Sequence, residues 1–349
     1  MRQSDVAKLA GVSPSTVSKV ISGSPGISQQ ARDRVLKAIQ EIGFPVTETR
    51  LRGSLQVRRV KLVTFYQFFV QDSNYFHAET LHSIRAECEK QGLQIDAVLL
   101  SRDEPNDQQV YRAQLAEGQS DGIIFVGIDS AEFLDAARES GLPTVIVNGN
   151  DPECVFDSVS PSFRDGSRLA TRYLIEQGHR EIVHVTHLYR RFIHRRLEGF
   201  REAIEDAGID FSFERNVIDV AYSPMFSTEN AAEAIYERIT SGKMKATAFF
   251  CVTDYTAFGV IQGIKRAGFR VPEDYSVVSF DDLPLAQVCR PAITAVGVDR
   301  EALGRLSAQR LMERIQNDPT GPSLRLEIGP RLTVRDSVRS LNAPEVKEP

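Results

Sequence analysis

The sequence predicts an α/β protein with a small all-α head, and three observations carry that prediction. The first 44 residues show helical periodicity and no strand pattern. From Lys61 onward, apolar runs of strand length alternate with helical stretches, and charge is divided unevenly between the two regions. Strand–helix alternation on this scale implies doubly wound parallel sheets in two subdomains, because a buried parallel strand needs helices on both faces.

In the head, Val6, Leu9 and Ala10 recur at helical spacing over Gln3–Ala10. Gly11 stops that helix and frees the backbone for a tight turn. Ser13 stands as an N-cap before Pro14, whose missing N–H costs nothing at the first helical position. A second helix over Pro14–Ile21 buries Val17, Val20 and Ile21 and turns Ser15, Ser18 and Lys19 outward. Gly23, Ser24, Pro25 and Gly26 form a loop, and Ser28 caps a third helix reaching Ile42, with Val35, Leu36 and Ile39 inward. Residues 47–57 are polar, basic and sparsely apolar, a linker or a marginal helix.

In the body, strands are predicted at 60–65, 93–100, 122–126, 144–147, 182–185, 246–252 and 275–280. Helices are predicted at 79–91, 163–177, 196–207, 230–240 and 255–267. The end from Ser340 is polar with two prolines and is expected to be disordered.

At 349 residues the chain is too long for one ordinary core, and 42% apolar with 26% charged residues is the balance of a soluble globular protein. No run of about 18 apolar residues is present to span a membrane. The opening Met1-Arg2-Gln3-Ser4-Asp5 lacks the pattern of a signal peptide. Cys88, Cys154, Cys251 and Cys289 lie far apart, which fits reduced cytoplasmic thiols and argues against a zinc ribbon or a disulfide scaffold. The net charge of −5 hides an asymmetry: residues 1–60 carry ten Lys/Arg against four Asp/Glu, and the remaining 32 Lys/Arg and 43 Asp/Glu leave −11 on the body. A basic head on an acidic body points to a polyanionic partner for the head alone.

The head carries the string Asp5-Val6-Ala7, Gly11-Val12-Ser13, Thr16-Val17-Ser18 and Val20-Ile21, followed by Arg32, Val35, Ala38-Ile39 and Gly43-Phe44. In residue identity, spacing and position this closely resembles the helix-turn-helix of the lac-repressor (LacI/GalR) family. The resemblance implies a transcriptional repressor whose second helix enters the major groove with its first residues nearest the base edges. Pro14 and Ser15 then take the positions where base contacts vary in that family, and Lys19 lies one turn on, able to reach guanine O6 and N7. Ser13, Thr16 and Ser18 would bind phosphate oxygens and set the register. The resemblance also implies a hinge helix that wedges a leucine into a minor-groove step. The sequence departs from the family there; Leu51, flanked by Arg50 and Arg52, is favoured over Leu55, and Gly53 weakens a helix through both.

The resemblance runs on to about residue 338 and implies a periplasmic-binding-protein-like pair of α/β subdomains clamping a small molecule. Asn74-Tyr75-Phe76 matches the segment that lays an aromatic on the ligand. Arg196-Leu197-Glu198-Gly199-Phe200 matches Arg-x-x-Gly-Phe, whose arginine points into the cleft. Thr253-Asp254 stands where the family has Asn-Asp, so Thr253 puts one hydroxyl contact in doubt. Ser279-Phe280-Asp281-Asp282 matches Gly-Phe-Asp-Asp, and Asp281 would accept hydrogen bonds from the effector. The candidate effector site is therefore Tyr75, Phe76, Arg190, Arg196, Thr253, Asp254 and Asp281. Asp121-Gly122-Ile123-Ile124 and the Gly-His-Arg at 178–180 read as structural, with His179 a buried cap. Arg190, Arg191, Arg195 and Arg196, with His194, precede a helix in a body that is otherwise acidic. Guanidinium forks and a helix N-terminus favour an anion, while the same arginines can instead pair with acids of the body, so the expected effector is a sugar, or a sugar acid or phosphate.

The domain plan is a helix-turn-helix at 1–45, a hinge at 46–60, an effector domain at 61–340 and a disordered tail at 341–349. Within the effector domain the N-subdomain takes 61–158 and 293–320, and the C-subdomain 159–292 and 321–340, with Pro291-Ala292-Ile293-Thr294 as the return to the first. The partners implied are a pseudo-palindromic operator, the effector and a second copy of the chain, with no cofactor and no leucine-heptad tail for a tetramer. An enzyme is disfavoured by the lack of a P-loop, a GxGxxG after a strand or a GxSxG elbow. His184 and His187 end a strand and His194 follows, but no carboxylate stands at metal-ligand spacing. A secreted sugar-binding protein of the same cleft fold is disfavoured by the basic head and the missing signal peptide.

Overall fold

The computed structural model describes residues 3–21, 27–42, 58–66, 75–100, 107–116, 120–128, 130–149, 151–188, 191–220 and 227–342. The chain divides into two compact units, Met1–Arg59 with Gly92–Gln94, and Val60–Gln91 with Ile95–Pro349; the first holds the helical head and the second nearly all of the sheets.

The head holds helices α1 (Gln3–Ala10), α2 (Pro14–Ile21) and α3 (Gln29–Ile42). Its core is Val6, Ala7, Ala10, Val17, Val20, Val35, Leu36, Ala38 and Ile39; spacing marks all of these but Ala7 and Ala38, and Ile21, also expected inward, is only partly buried. Gly11 takes φ +63, which a glycine reaches without the Cβ penalty, and Val12 N–H bonds back to the Ala7 carbonyl. Leu9, expected inward, is exposed on α1.

The body contains two six-stranded sheets. The first is built from β1 (Arg58–Phe65), β2 (Leu93–Leu100), β3 (Gly122–Val126), β4 (Thr144–Val147), β5 (Asp157–Pro161) and β11 (Arg325–Ile328), in the order β11-β5-β4-β3-β1-β2. The second is built from β6 (Ile182–Thr186), β7 (Val217–Asp219), β8 (Ala248–Cys251), β9 (Ser276–Asp281), β10 (Thr294–Gly297) and β12 (Arg331–Thr333), in the order β12-β10-β9-β8-β6-β7. In the second sheet β12 runs antiparallel to β10, while β6, β7, β8, β9 and β10 pair in parallel. Strands β3, β4, β6, β8 and β9 are buried along their length, as parallel strands covered on both faces are.

Three helices position the functional side chains: α4 (Tyr75–Lys90), α8 (Arg191–Asp206) and α11 (Asp254–Arg266). Helix α7 (Phe163–Glu176) packs on α8, and Gly199 permits the contact: a Cβ there would lie 2.0 Å from the Arg164 carbonyl oxygen. This explains the glycine of the Arg-x-x-Gly-Phe motif, with Phe200 filling the core behind it. Helix α13 (Arg300–Gln316) packs on α4 and is tied to the first sheet by Asp157, which takes Arg314 bidentately at 2.6 and 2.9 Å and Arg310 at 2.7 Å.

Several boundaries differ from those read in the sequence. β1 begins at Arg58, inside the segment assigned to the hinge. β5 had no apolar run to announce it, being Asp157-Ser158-Val159-Ser160-Pro161, yet it is buried and continues the first sheet. The subdomain split is also corrected. β10 pairs with β9 in the second sheet, so the chain returns to the first subdomain after Gly297 and not at Pro291–Thr294. β11 pairs with β5, so residues 325–328 belong to the first sheet and not the second. Strand pairing decides both placements, and it is not encoded in hydrophobic pattern. Finally, Leu341 N–H bonds the Gln177 carbonyl and Asn342 Nδ2 donates to the Glu176 carbonyl, both at 2.7 Å, so 341 and 342 are anchored rather than part of a loose tail.

Candidate DNA interface and effector site

Helix α2 is held by a cap and a core and leaves its polar face open. Ser13 Oγ accepts from Thr16 N–H at 3.1 Å and lies within hydrogen-bond distance of the Ser15 and Thr16 hydroxyls, at 2.7 and 2.8 Å. Val17 and Val20 are fully buried, which fixes the helix by its apolar side. Ser13, Pro14, Ser15, Ser18 and Lys19 are exposed and Thr16 is half-buried. The residues expected to meet DNA therefore share the first turns of one exposed face. Leu51, the expected wedge, lies outside the described residues.

The second site gathers at the carboxyl ends of the strands, where open α/β sheets hold ligands. Arg196, on α8, is 2% exposed, and its Nη2 donates to Asp281 Oδ1 at 3.0 Å. Its Nη1 donates to the Val252 carbonyl, just past β8. The guanidinium lies 3.8 Å from the centroid of Phe280, with Phe163 and Phe192 at 5.3 and 5.7 Å. These three aromatics were not among the residues picked from the sequence; Phe280 stood in the matched motif, but nothing local signalled that its ring carries the arginine.

Asp281 closes β9 with φ +106, and Asp282 follows at φ +52. Two adjacent non-glycine residues with positive φ form a strained turn of the kind found at ligand sites. The turn is held from outside: Asp282 accepts Arg335 Nη2 at 2.6 Å and Thr333 Oγ1 at 3.1 Å, and the Asp281 carbonyl accepts Arg300 Nη1 at 2.7 Å. Arg300 also donates through Nε to Glu79 on α4 at 2.5 Å. One arginine thus spans the end of β9 and the first turn of the helix that begins with Tyr75 and Phe76. Tyr75 is exposed and Phe76 is buried, so the ring expected to cover the ligand is largely covered itself.

Asp254, expected at the effector, braces the site from within. It is fully buried, its Oδ1 accepts from the Ser279 hydroxyl, and its Oδ2 accepts from Leu283 N–H at 2.6 Å. Burial, with Asp281 nearby, pushes its carboxyl up to about 8. Thr253 caps α11, accepting from Thr256 N–H at 3.2 Å, and stays half-buried. Arg190 lies outside the described residues. His184 packs against Phe200 and Phe250 at 5.3 and 4.7 Å, is bonded to the Phe250 carbonyl, and burial lowers its pKa to about 3, the state of a neutral core histidine. His179 is fully buried between Thr247 and the Arg339 carbonyl. Among the described residues no helix is long and apolar enough to cross a membrane.

Comparison with known proteins bears on the family and the fold. Residues 4–45 match the family described as bacterial regulatory proteins, lacI family, and residues 171–338 match a periplasmic binding protein-like domain. The HTH-type transcriptional repressor PurR of Photobacterium profundum is 31% identical over 343 residues, covering 97% of this chain and 98% of its own. The ribose operon repressor of Haemophilus influenzae is 30% identical over 338 residues with the same coverage. Among solved structures, a transcriptional regulator CelR–cellobiose complex superposes with a TM-score of 0.71 at 27% identity, over 97% of this chain and 99% of that one. The lac repressor dimer bound to operator and the anti-inducer ONPF gives 0.70 at 21% identity and the same coverage, a likeness of fold. With a helix-turn-helix head and a body of two α/β subdomains, the chain belongs to the lacI family: it is a DNA-binding transcriptional repressor under small-molecule control, and not an enzyme.

Proposed function

We propose that the chain binds a pseudo-palindromic operator as a homodimer through the exposed face of α2, and that a polyhydroxylated small molecule seated at Arg196 and Asp281 sets its affinity for that operator. The observation that carries the effector reading is the buried Arg196–Asp281 pair, 3.0 Å apart, backed by Phe280. A planar donor fork beside a carboxylate offers matched donors and acceptors to neighbouring hydroxyls, and the aromatic rings around it suit the apolar face of a sugar. The relatives named for ribose and complexed with cellobiose support the same class.

The acidic effector expected from the arginine run gains no support from the arginines whose side chains are described. Arg196 is paired with Asp281, and Arg195 with Glu198 at 2.9 Å. A neutral pair favours a neutral polyol, so we place neutral sugars ahead of their acids and phosphates. The test has two parts. Footprinting on the promoter of the chain's own gene, repeated at several salt concentrations, should reveal a salt-sensitive two-fold site. Calorimetry with ribose, cellobiose, and matched sugar acids and phosphates should find tighter binding of a neutral member, lost in Arg196→Ala. Preferential binding of the acids would restore the anionic reading, and an unprotected promoter would overturn the operator claim.

A further inference from the structure

We propose that Arg300 is a positioning residue that carries the state of the effector pair to the N-subdomain, a role that rests on the effector reading above and adds the path by which the site is heard. Arg300 is the first residue of α13, immediately after the chain has left β10 of the second sheet and crossed to the first subdomain. Asp299 caps that helix by accepting Ala302 N–H at 2.8 Å, so the base of the Arg300 side chain is fixed at the crossing itself.

From there the side chain, 12% exposed, reaches two places at once. Nη1 donates to the Asp281 carbonyl at 2.7 Å, in the second subdomain, and Nε donates to Glu79 on α4, in the first. The residue whose carbonyl it holds is the one whose carboxylate holds Arg196. Asp281 sits at φ +106, a conformation that L residues rarely adopt, so the peptide there is kept in place by its partners rather than by its own preference.

The consequence is mechanical. A ligand that draws the Asp281 carboxylate away from Arg196 turns the same residue's peptide, and the carbonyl hydrogen bond to Arg300 must lengthen or follow. A planar guanidinium cannot move at one end alone, so the Glu79 contact shifts with it, one turn along α4 from Tyr75 and Phe76. Helix α4 packs along α13, with Gly304 so close that a Cβ would lie 2.6 Å from both Ser83 Cβ and the Thr80 carbonyl oxygen. Dense packing of this kind passes a small displacement on rather than absorbing it.

The test needs no ligand, which separates its failure from failure of the sugar reading. Asp281→Asn keeps the side-chain size and tolerates the backbone angle but removes the ion pair with Arg196. Hydrogen exchange on the full-length protein is read at Leu283 N–H and along Tyr75–Lys90, in wild-type and Arg300-variant backgrounds. With Arg300 present, Asp281→Asn should speed exchange several-fold at both places. With Arg300→Ala, or with Arg300→Gln, which can still donate to the carbonyl but carries no charge for Glu79, the effect at Leu283 should persist while the effect on α4 disappears. Arg300→Lys should restore part of it, which a merely structural loss would not allow. Equal transmission to α4 in the presence and absence of Arg300, or no transmission in the wild-type background, overturns the proposal.

Discussion

Arg196 and Asp281 meet at 3.0 Å with side chains only 3% and 9% exposed, and the ring under the guanidinium belongs to Phe280, the residue just before Asp281. One strand end therefore supplies both the aromatic cushion and the counter-charge. A buried pair of this kind is dangerous to break, because the surviving charge keeps its desolvation penalty and loses its compensation. Asp281→Ala should cost about 3–5 kcal/mol of unfolding free energy in urea denaturation. Replacing both partners with Met and Leu should be markedly less costly than the single change. A double variant as unstable as Asp281→Ala would show that packing, and not the unpaired charge, dominates.

Asp254 predicts a pH dependence. Its folded pKa is raised to about 8 by burial and by Asp281, so between the ordinary carboxylate range and about 8 the folded protein holds a proton that the unfolded chain has released. The folded state binds more protons, and stability from this group falls as pH rises through that window. Asp254→Asn mimics the protonated form and can serve both Ser279 and Leu283. The variant should show a shallower loss of melting temperature between pH 5 and pH 8 than wild type. An unchanged slope would assign the pH dependence to other groups.

Gly199→Ala tests whether α8 must lie against α7. The added Cβ would meet the Arg164 carbonyl oxygen at 2.0 Å, so the helices must separate. Overpacking of this sort costs about 1–3 kcal/mol. Because Arg196 is one turn away on α8, calorimetric sugar affinity should fall along with thermal stability. A stable variant with full affinity would mean that the helix contact is looser than described.

On the head, Lys19→Ala should weaken binding to the preferred operator by about 1–3 kcal/mol and relax one base pair in each half-site. Competition mobility shifts against single-base operator variants would measure it. Uniform weakening on operator and random DNA would restrict Lys19 to a phosphate contact.

Deleting residues 1–57 keeps β1 whole, since it begins at Arg58. The remaining body should unfold cooperatively and still bind its sugar while losing the operator. Loss of a cooperative thermal transition would show that the body depends on the head.

What the sequence determined by itself was local. The three head helices follow from apolar spacing, the Gly11 turn and the Ser13 cap, because each of these acts within a few residues of chain. The buried strands were legible where they were continuous apolar runs, and Arg196 and Asp281 were legible because they sit in short strings that resemble a family. Tertiary structure decided what distance along the chain conceals. Asp157–Pro161 is polar, and only its neighbours Thr144–Val147 and Arg325–Ile328 make it a strand. Asp254 was read from its motif alone, and only the fold brings Ser279 and Leu283 onto its carboxylate. Arg300 and Glu79 are 221 positions apart, and no pattern in either segment announces the other. Side-chain partnerships across that separation arise only when the chain crosses twice between its sheets, and a crossing leaves no periodicity in the residues that make it.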